Sequence, residues 1–476
     1  MQKIGDRKAP FSVAENYVII CDMKTVFVGM SGGVDSSVSA LLLKEQGYNV
    51  IGVYMKNWSK DLPGMKCPWA EDLADAKRVA VKLGIDFEVW DFEEAYKEKV
   101  VEYMLREFRA GNTPNPDIMC NQEIKFKLFY EKAMERGADY IATGHYARVV
   151  AGVQDDLRVL ASQSRSGARR SLPSPWGSRA TPQFANFRTP LRRDSDATRK
   201  ESSILRQKDN TDYLLARAVD ENKDQTYFLY RISEEALAHT IFPIGEMTKP
   251  EVKKLAEKKG LHNAYKKESM GVCFVGEVGM KDFLKGYIDI RPGEIREIES
   301  EKVLGYHEGV IFYTIGQRHG LYLTGIAGEV NDGLPYYVVK KDIDNNIVYV
   351  SKNLNNEYIW AKRLELKDIV LRAQGLAPPS RSGARPSGLS PQADGATPRF
   401  ANLRTPLRRD SDATRANMGD ILVRLRHRAP LIPAKMVLGE NGTATLEFEN
   451  EVKRPAAGQS AVVYDGEICL GGGIIQ

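Results

Sequence analysis

Apolar residues change their period along this chain, and the change divides it. Between Thr25 and Thr143 they fall in short continuous runs, 25–29, 49–55, 86–90 and 139–143. Between the runs they recur at helical spacing, over 36–46, 72–83, 93–109 and about 122–136. Continuous runs of this length read as strands buried in a parallel sheet, and the 3.6-residue pattern predicts helices. Strand alternating with helix gives an α/β fold with a doubly wound parallel sheet, whose ligands lie outside the carboxyl ends of the strands. From about Arg291 the period drops to two, over 310–313, 336–340, 347–350, 420–427, 443–448, 461–464 and 467–470, with Asp465-Gly466 as a hairpin turn between the last pair. A small β-rich linking domain followed by a C-terminal β-barrel is the economical reading. The expected divisions are an extension over 1–22, an α/β domain over 23–280, the linking domain over 281–353 and the barrel over 354–476.

Two stretches carry neither period. Residues 164–199 and 380–415 are copies of one another, each opening SRSGAR and closing RTPLRRDSDATR. Rich in Arg, Ser, Pro and Gly, neither buries enough apolar surface to offset its ordering entropy, so both are expected to be disordered inserted loops. The functional alternative is a pair of basic arms that grasp RNA. Eight Arg against two Asp in the first copy and seven Arg against three Asp in the second account for more than the whole net charge of +5. Global charge therefore argues nothing about nucleic acid.

No run approaches the twenty or so apolar residues of a membrane span, and the N-terminus lacks the order of a signal peptide. Residues 1–22 precede Met23 and are assigned no role. Five cysteines, Cys21, Cys67, Cys120, Cys273 and Cys469, are scattered singly. That supports neither a disulfide framework nor a zinc site on paired C-x-x-C, so no metal site is expected and a reducing cytoplasm fits best.

The candidate chemistry begins at SGGVDSS, residues 31–37, directly after the first strand. Two adjacent glycines let the backbone approach an anion, a helix N-terminus follows, and Ser31, Ser36 and Ser37 add hydroxyl donors. A Walker A loop needs Gly-Lys-Ser/Thr and a dinucleotide fold needs G-x-G-x-x-G, and neither is present. This is phosphate chemistry without a lysine in the loop. The motif resembles the PP-loop of the ATP pyrophosphatase superfamily, whose members cleave ATP between its α and β phosphates and adenylate a substrate.

Further along, Asn112-Thr113-Pro114-Asn115-Pro116-Asp117 fixes an extended approach to the helix at about 122–136, with Asp117 or Asn121 as its cap. Cys120 then sits at or just before a helix N-terminus, where the dipole favours a thiolate; the plain alternative is a small apolar filler. Thr143-Gly144-His145-Tyr146 places His145 at the ligand edge of the sheet, although a lone histidine there is more often structural. Lys223-Asp224-Gln225 reads as a polyanion contact or as a solvated helix cap. Arg424, Arg426 and Arg428 alternate with Leu425 and His427, which puts three guanidiniums on one strand face, suited to a phosphate backbone or simply to solvent. Cys120 and Cys273 are two loop cysteines able to meet in space.

Together these motifs resemble one family, the bacterial tRNA-specific 2-thiouridylases. The resemblance rests on GMSGGVDSS at 29–37, MKNW at 55–58, TPNPDIMCN at 113–121, EIKF at 123–126, ATGHYAR at 142–148, KDQTYFL at 223–229, GVCFVGE at 271–277, YTIGQRHGL at 313–321 and CLGGGII at 469–475. It implies an adenine nucleotide alpha hydrolase-like catalytic domain, ATP with Mg2+ as cofactor, a tRNA with a wobble uridine as substrate and a persulfide donor or sulfur-relay protein as partner. It further implies that Gly29, Met30, Ser31, Gly32, Gly33, Val34, Asp35, Ser36, Met55 and Gly144 hold the nucleotide. Asn115, Pro116 and Asp117 would meet the target base, with Asp117 assisting proton transfer. Cys273 would carry the persulfide and Cys120 would be its partner in a transient disulfide. His145, Lys223, Asp224, Gln225, Arg426, His427 and Gln459 would contact tRNA, with His427 standing where the family usually has tyrosine. The implied reaction adenylates uridine O2 and replaces it by sulfur, releasing AMP and pyrophosphate. Another PP-loop enzyme, such as an amidotransferase-type or lysidine synthetase, would share SGGVDSS without needing both cysteines, and a tRNA-binding protein without turnover would keep the barrel.

Overall fold

The computed structural model describes residues 23–60, 69–152, 212–267, 280–323, 334–353, 358–372 and 417–476. The expectations for 1–22, for both copied segments and for Cys21, Cys67 and Cys273 lie outside the described residues. The chain divides into two compact units, Met1–Val149 with Leu215–Gln476, and Val150–Leu214. In the smaller unit the described residues, 150–152 and 212–214, are extended strand backbone. Everything below belongs to the larger unit.

The first sheet has five strands, all parallel, in the order Asp86–Asp91, Asn49–Lys56, Thr25–Gly29, Tyr140–Ala142, Thr240–Ile241. Thr25–Gly29 is central, and Val26, Phe27 and Val28 are buried to 1% exposure or less. Each such side chain contributes roughly 1.5–3 kcal/mol on leaving water. Helices Val34–Glu45, Trp69–Leu83 and Lys249–Lys258 pack with one set of buried apolar residues, while a cluster containing Trp90, Tyr96, Met104, Ile124 and Phe129 collects the helices at 93–109 and 116–135. The central domain is a four-stranded sheet, Tyr337–Asp342, Ile347–Ser351, Gly293–Glu297, Val303–His307. The C-terminal strands Trp360–Leu371, Ala444–Lys453, Ile432–Leu438, Asn417–Arg424, Ser460–Asp465 and Ile468–Ile475 pair antiparallel in that order, and the last pairs back onto the first, closing a six-stranded barrel. No helix among the described residues is long and apolar enough to cross a membrane.

Three local expectations change. Residues 310–313 are not a strand: Val310–Phe312 is a 3-10 turn. Side chains three apart eclipse in that geometry, which lets Val310 and Tyr313 both enter the central core, whereas a strand would point them to opposite faces. The helix expected from about 122 begins at Pro116, because Asn115 caps it by accepting from the Asp117 N–H at 3.2 Å, with proline at the first helical position. The strand expected over 420–427 ends at Arg424, where the chain turns with Arg428 at φ 62°.

Candidate functional site

The glycine-rich loop leaves the central strand at its carboxyl end, as the sheet requires. Gly32 has φ +77°, and a Cβ there would lie 2.3 Å from the carbonyl oxygen of Asp72, so only glycine fits. Gly33 precedes Val34–Glu45 and supplies no side-chain cap, so the first N–H groups of that twelve-residue helix remain for an anion. Ser36 Oγ accepts from the Ser31 N–H at 3.2 Å, and Ser37 Oγ donates to Gly33 O at 2.9 Å, which fixes the curl of the loop. Gly144 abuts this turn closely enough that a Cβ would come 2.6 Å from Ser36 N, and Gly29 would likewise meet Met55 Cε at 2.8 Å. The structure therefore brings together Gly29 to Ser36, Met55 and Gly144. An uncapped helix start and closely packed backbone suit a polyphosphate. Among the described residues no group of three or more His, Cys, Asp or Glu is placed to hold a metal ion.

Sequence reasoning missed three residues here. Lys249 Nζ reaches both Asp35 carboxylate oxygens at 2.8 Å, and Tyr146 Oη donates to Asp35 Oδ1 at 3.0 Å. Buried Asn263 donates from Nδ2 to Gly32 O and to Ser37 Oγ, each at 2.9 Å, clamping the loop from 226 residues away. Tyr146 lay inside a motif already noted; the other two gave no local signal.

Asn115, Pro116, Asp117 and Cys120 occupy the first two turns of one helix, which passes into a π-helical stretch over Cys120–Leu128. Such i→i+5 segments occur frequently at functional sites. Cys120 is inside the helix rather than at its start, and it is 2% exposed. Asn121 beside it donates to Phe228 O at 3.1 Å, while its buried Oδ1 has no hydrogen-bond partner among the described residues. Burial raises the Asp117 pKa above the ordinary carboxylate value, and the Lys125 charge works against that rise. Lys125 Nζ also lies 3.4 Å from His145 Nε2, and His145 Nδ1 pairs with Thr143 Oγ1 at 2.8 Å. Enclosed by Phe126 and Phe242, His145 is held well below its ordinary pKa by burial and then by Lys125, so it is neutral. Its position is internal, bridging the Asp117 helix to Gly144 and hence to the phosphate turn.

The third group joins segments two hundred residues apart. Asp224 is buried, accepts from Thr226 N and Oγ1 and from Ala218 N, and pairs with Arg424 Nη1 at 2.6 Å. Arg424 thus points inward, and the expected face of three guanidiniums is replaced by one internal pair plus two exposed residues, Arg426 and Arg428, in the following turn. The strand turns Ile421, Val423 and Leu425 into the barrel core, while Arg424, on its other face, lies over Tyr464 in the cluster shared with the α/β domain, so its buried charge requires Asp224. His427 packs 4.5 Å from the Phe228 ring, and burial followed by the Arg428 and Arg424 charges pushes its pKa down to about 4. Gln225 accepts from Tyr146 N through Oε1 at 2.9 Å, and Gln459 Nε2 donates to Thr113 O at 2.6 Å. A cavity of about 920 Å³ opens where Thr113, Gln317, Arg318, Trp360, Arg426 and Gln459 converge. Lys223 is half-buried beside this group.

Comparison with known proteins matches three stretches of the chain to family models. Residues 24–167 and 197–277 match the family described as tRNA methyl transferase HUP domain, 281–352 the tRNA methyl transferase PRC-barrel domain and 407–475 the aminomethyltransferase beta-barrel domain. The tRNA-specific 2-thiouridylase MnmA of Idiomarina loihiensis is 38% identical over 454 residues, covering 95% of this chain and 96% of its own. That of Enterococcus faecalis is 37% identical, covering 95% of each chain, and that of Listeria monocytogenes 38%, covering 95% and 94%. The domain descriptions speak of methyl transfer and the full-length relatives of thiolation; the relatives match end to end and carry more weight. The chain belongs to the tRNA-specific 2-thiouridylase family.

Proposed function

We propose that this protein replaces O2 of the wobble uridine of tRNA, position 34, by sulfur in an ATP- and Mg2+-dependent reaction. The observation that supports the reading is the path from the helix of Asp117, through Lys125 on its continuation and the Lys125–His145 contact, to Gly144 against the phosphate turn, which links the helix proposed to meet the base with the loop proposed to hold the nucleotide. The names of the full-length relatives point the same way.

A uracil C2 carbonyl is a poor electrophile, and transfer of AMP to its oxygen makes that oxygen a good leaving group. Gly29 to Ser36 and Gly144 hold the phosphates through backbone N–H groups, and Met55 flanks the adenine. Asn115 and Pro116 position the base, and Asp117, whose raised pKa makes it the stronger base, takes the N3 proton as O2 attacks the α-phosphorus and pyrophosphate leaves. The terminal sulfur of a Cys273 persulfide then attacks C2 and AMP departs. Cys120 attacks the inner sulfur, so the sulfur–sulfur bond breaks toward the base and a Cys120–Cys273 disulfide remains for a cellular thiol to reduce. Arg426, Lys223, Gln225, Gln459 and His427 face the RNA, with the cavity beside Arg426 and Gln459 accommodating unstacked anticodon nucleotides. Buried Asp224 and His145 act by positioning those groups. Persulfide loading of Cys273 by a relay protein and a cytoplasmic location belong to the same proposal.

The test is incubation with unmodified tRNA, ATP, Mg2+ and a persulfide donor, followed by nucleoside mass spectrometry. 2-Thiouridine formed in step with AMP and pyrophosphate is the expected result. A different modified nucleoside would assign another PP-loop reaction, and tRNA binding without product would leave a binding protein.

A further inference from the structure

The loop at 111–117 takes its course from outside the α/β domain, and from both other domains at once. The helix Glu102–Arg109 closes its own end: Ala110 N donates to Arg106 O at 3.0 Å, Gly111 N to Phe108 O at 3.0 Å and Asn112 N to Glu107 O at 2.9 Å, with Gly111 at φ +80°. That turn needs no outside cation to close it. Gly111 O lies beyond the closure, where the loop leaves the helix, and it accepts from Lys341 Nζ at 2.6 Å. Lys341 belongs to the central-domain strand Tyr337–Asp342, and Ile343, two residues on, bears on the same glycine so closely that a Cβ there would lie 2.5 Å from Ile343 Cγ1. The barrel takes hold from the other side. Thr113 N donates to Ala457 O at 2.7 Å, Gln459 Nε2 donates to Thr113 O at 2.6 Å, and a Cβ on Gly458 would come 3.0 Å from Asn112 Cβ. Asn115, Pro116 and Asp117 follow directly.

Lys341 is the member of this set that packing alone does not explain. Its side chain is half-buried, burial pushes its pKa down to about 8, and it has no ion-pair partner among the described residues. An ammonium drawn out of water toward a single carbonyl costs the fold, and its place at the negative end of a helix offsets only part of that cost. Thr113, held between the two domains, also lines the cavity together with Gln317, Arg318 and Gln459. Cavity wall and base loop are thus one segment.

We propose that Lys341 is a positioning residue for the reaction: from the central domain it fixes Gly111 O, and with it the course of the loop that brings Asn115, Pro116 and Asp117 against the uridine. The inference rests on the thiolation reading above and gives the central domain a part in the chemistry beyond joining its neighbours. RNA in the cavity meets Gln317 and Arg318 on the central domain and Arg426 and Gln459 on the barrel, the same two domains that hold the loop. An RNA that engages both keeps the Lys341 contact closed and the base in register with Asp117. Lys341 contacts no reacting atom. Its effect passes through the backbone, where a misplacement of about 1 Å costs on the order of 100-fold in rate.

Two measurements on the full-length protein test this: steady-state thiolation of unmodified tRNA with ATP, Mg2+ and a persulfide donor, and amide hydrogen exchange across 111–117 without ligands. Lys341→Met keeps the length of the side chain and removes the ammonium. It should lower kcat by about 10-fold or more, the range of a hydrogen bond from a charged donor, while the KM values for tRNA and ATP stay within about twofold. Exchange across 111–117 should quicken in the same variant, and Lys341→Arg, which keeps a charged donor, should restore slow exchange and most of kcat. Wild-type kcat in Lys341→Met would overturn the proposal. So would a raised KM for tRNA at unchanged kcat, which would make Lys341 an RNA contact. Exchange no faster than wild type would overturn it independently of any assay of the reaction. Should Lys341→Met fail to fold, Lys341→Gln, with a neutral donor on a shorter stem, is read by the same two measurements. Wild-type protein that forms no 2-thiouridine would overturn the thiolation reading itself, a separate outcome.

Discussion

The glycine-rich loop at 29–37 and the turn at 425–428, proposed to hold the nucleotide and to face the RNA, are built by opposite means. The loop is nine consecutive residues, 29–37, whose shape follows from backbone geometry, above all Gly32 at φ +77° against the Asp72 carbonyl. The turn at 425–428 is held by Asp224 and Arg424, two hundred positions apart, and by His427 against Phe228. One region is specified locally and carries its function in groups that the fold does not need. The other is assembled by burial of opposite charges, so its anchoring residues are needed by the fold before they matter to function. Substitutions should therefore separate chemistry from stability in the first region and confound them in the second.

The largest effect should come from the thiols, on the chemical side of that divide. Cys120→Ser and Cys273→Ser should each abolish 2-thiouridine formation while nucleotide affinity, read by calorimetry, stays within twofold. Full sulfur transfer from a persulfide donor in either variant would remove the two-cysteine scheme.

Next comes the buried pair. Asp224→Ala leaves Arg424 buried and uncompensated where the outer face of the barrel packs on the α/β domain, and should cost about 3–5 kcal/mol in denaturant unfolding. Arg426→Ala, one exposed residue beyond, should leave the midpoint unchanged, raise the KM for tRNA and reduce the salt slope of RNA binding by about one. Equal stability of the two variants would break the contrast between the regions.

Asp117 sharpens it through pH. Because burial raises its pKa, Asp117 takes up a proton on acidification before an ordinary carboxylate does, and turnover should fall through a pH above the usual carboxylate range. The native state binds that proton more tightly than the unfolded chain, so this group's penalty on stability is present at neutral pH and is relieved as pH falls through the raised value. Asp117→Asn should remove turnover without lowering the melting temperature at pH 7.

The smallest effect belongs to the copied segments and to Cys469. Joint deletion of 164–199 and 380–415 should leave turnover near wild type at physiological salt, since loop closure costs only about 0.6 kcal/mol per doubling of length. Loss of thiolation by a folded deletion protein would make the segments RNA-binding arms. Burial pushes the Cys469 thiol up to about 11, so Cys469→Ala should alter turnover little.

How much of this was legible follows from the same contrast. The strands at 25–29, 49–56 and 86–91, the helix after the phosphate loop and the closing barrel strands were readable because their period and turn residues are local. The Asn115 cap was equally readable, since Asn-Pro is a cap followed by proline at the first helical position, and choosing Asp117 or Asn121 overlooked it. Arg424 was misread because alternation gives a face but not its partner: the pattern that suited phosphates also suits an arginine turned inward onto a distant aspartate. Lys249 and Asn263 left no mark, because a lysine or asparagine in a polar stretch looks solvated until tertiary packing brings it to the loop, and Lys125, although inside the EIKF motif, carried no sign of its partner His145. The 310–313 segment shows the limit of period reading, in that three apolar residues fit a strand and a 3-10 turn equally well.

The central claim, that the base is adenylated before sulfur arrives, has a direct measurement. Cys273→Ser protein is incubated with unmodified tRNA and ATP labelled at the α-phosphorus, and the RNA is digested and its labelled nucleotides identified. The account expects label bound to the wobble uridine, formed together with one pyrophosphate and lost on adding free sulfide. Unlabelled RNA from protein that binds both ATP and tRNA would contradict it.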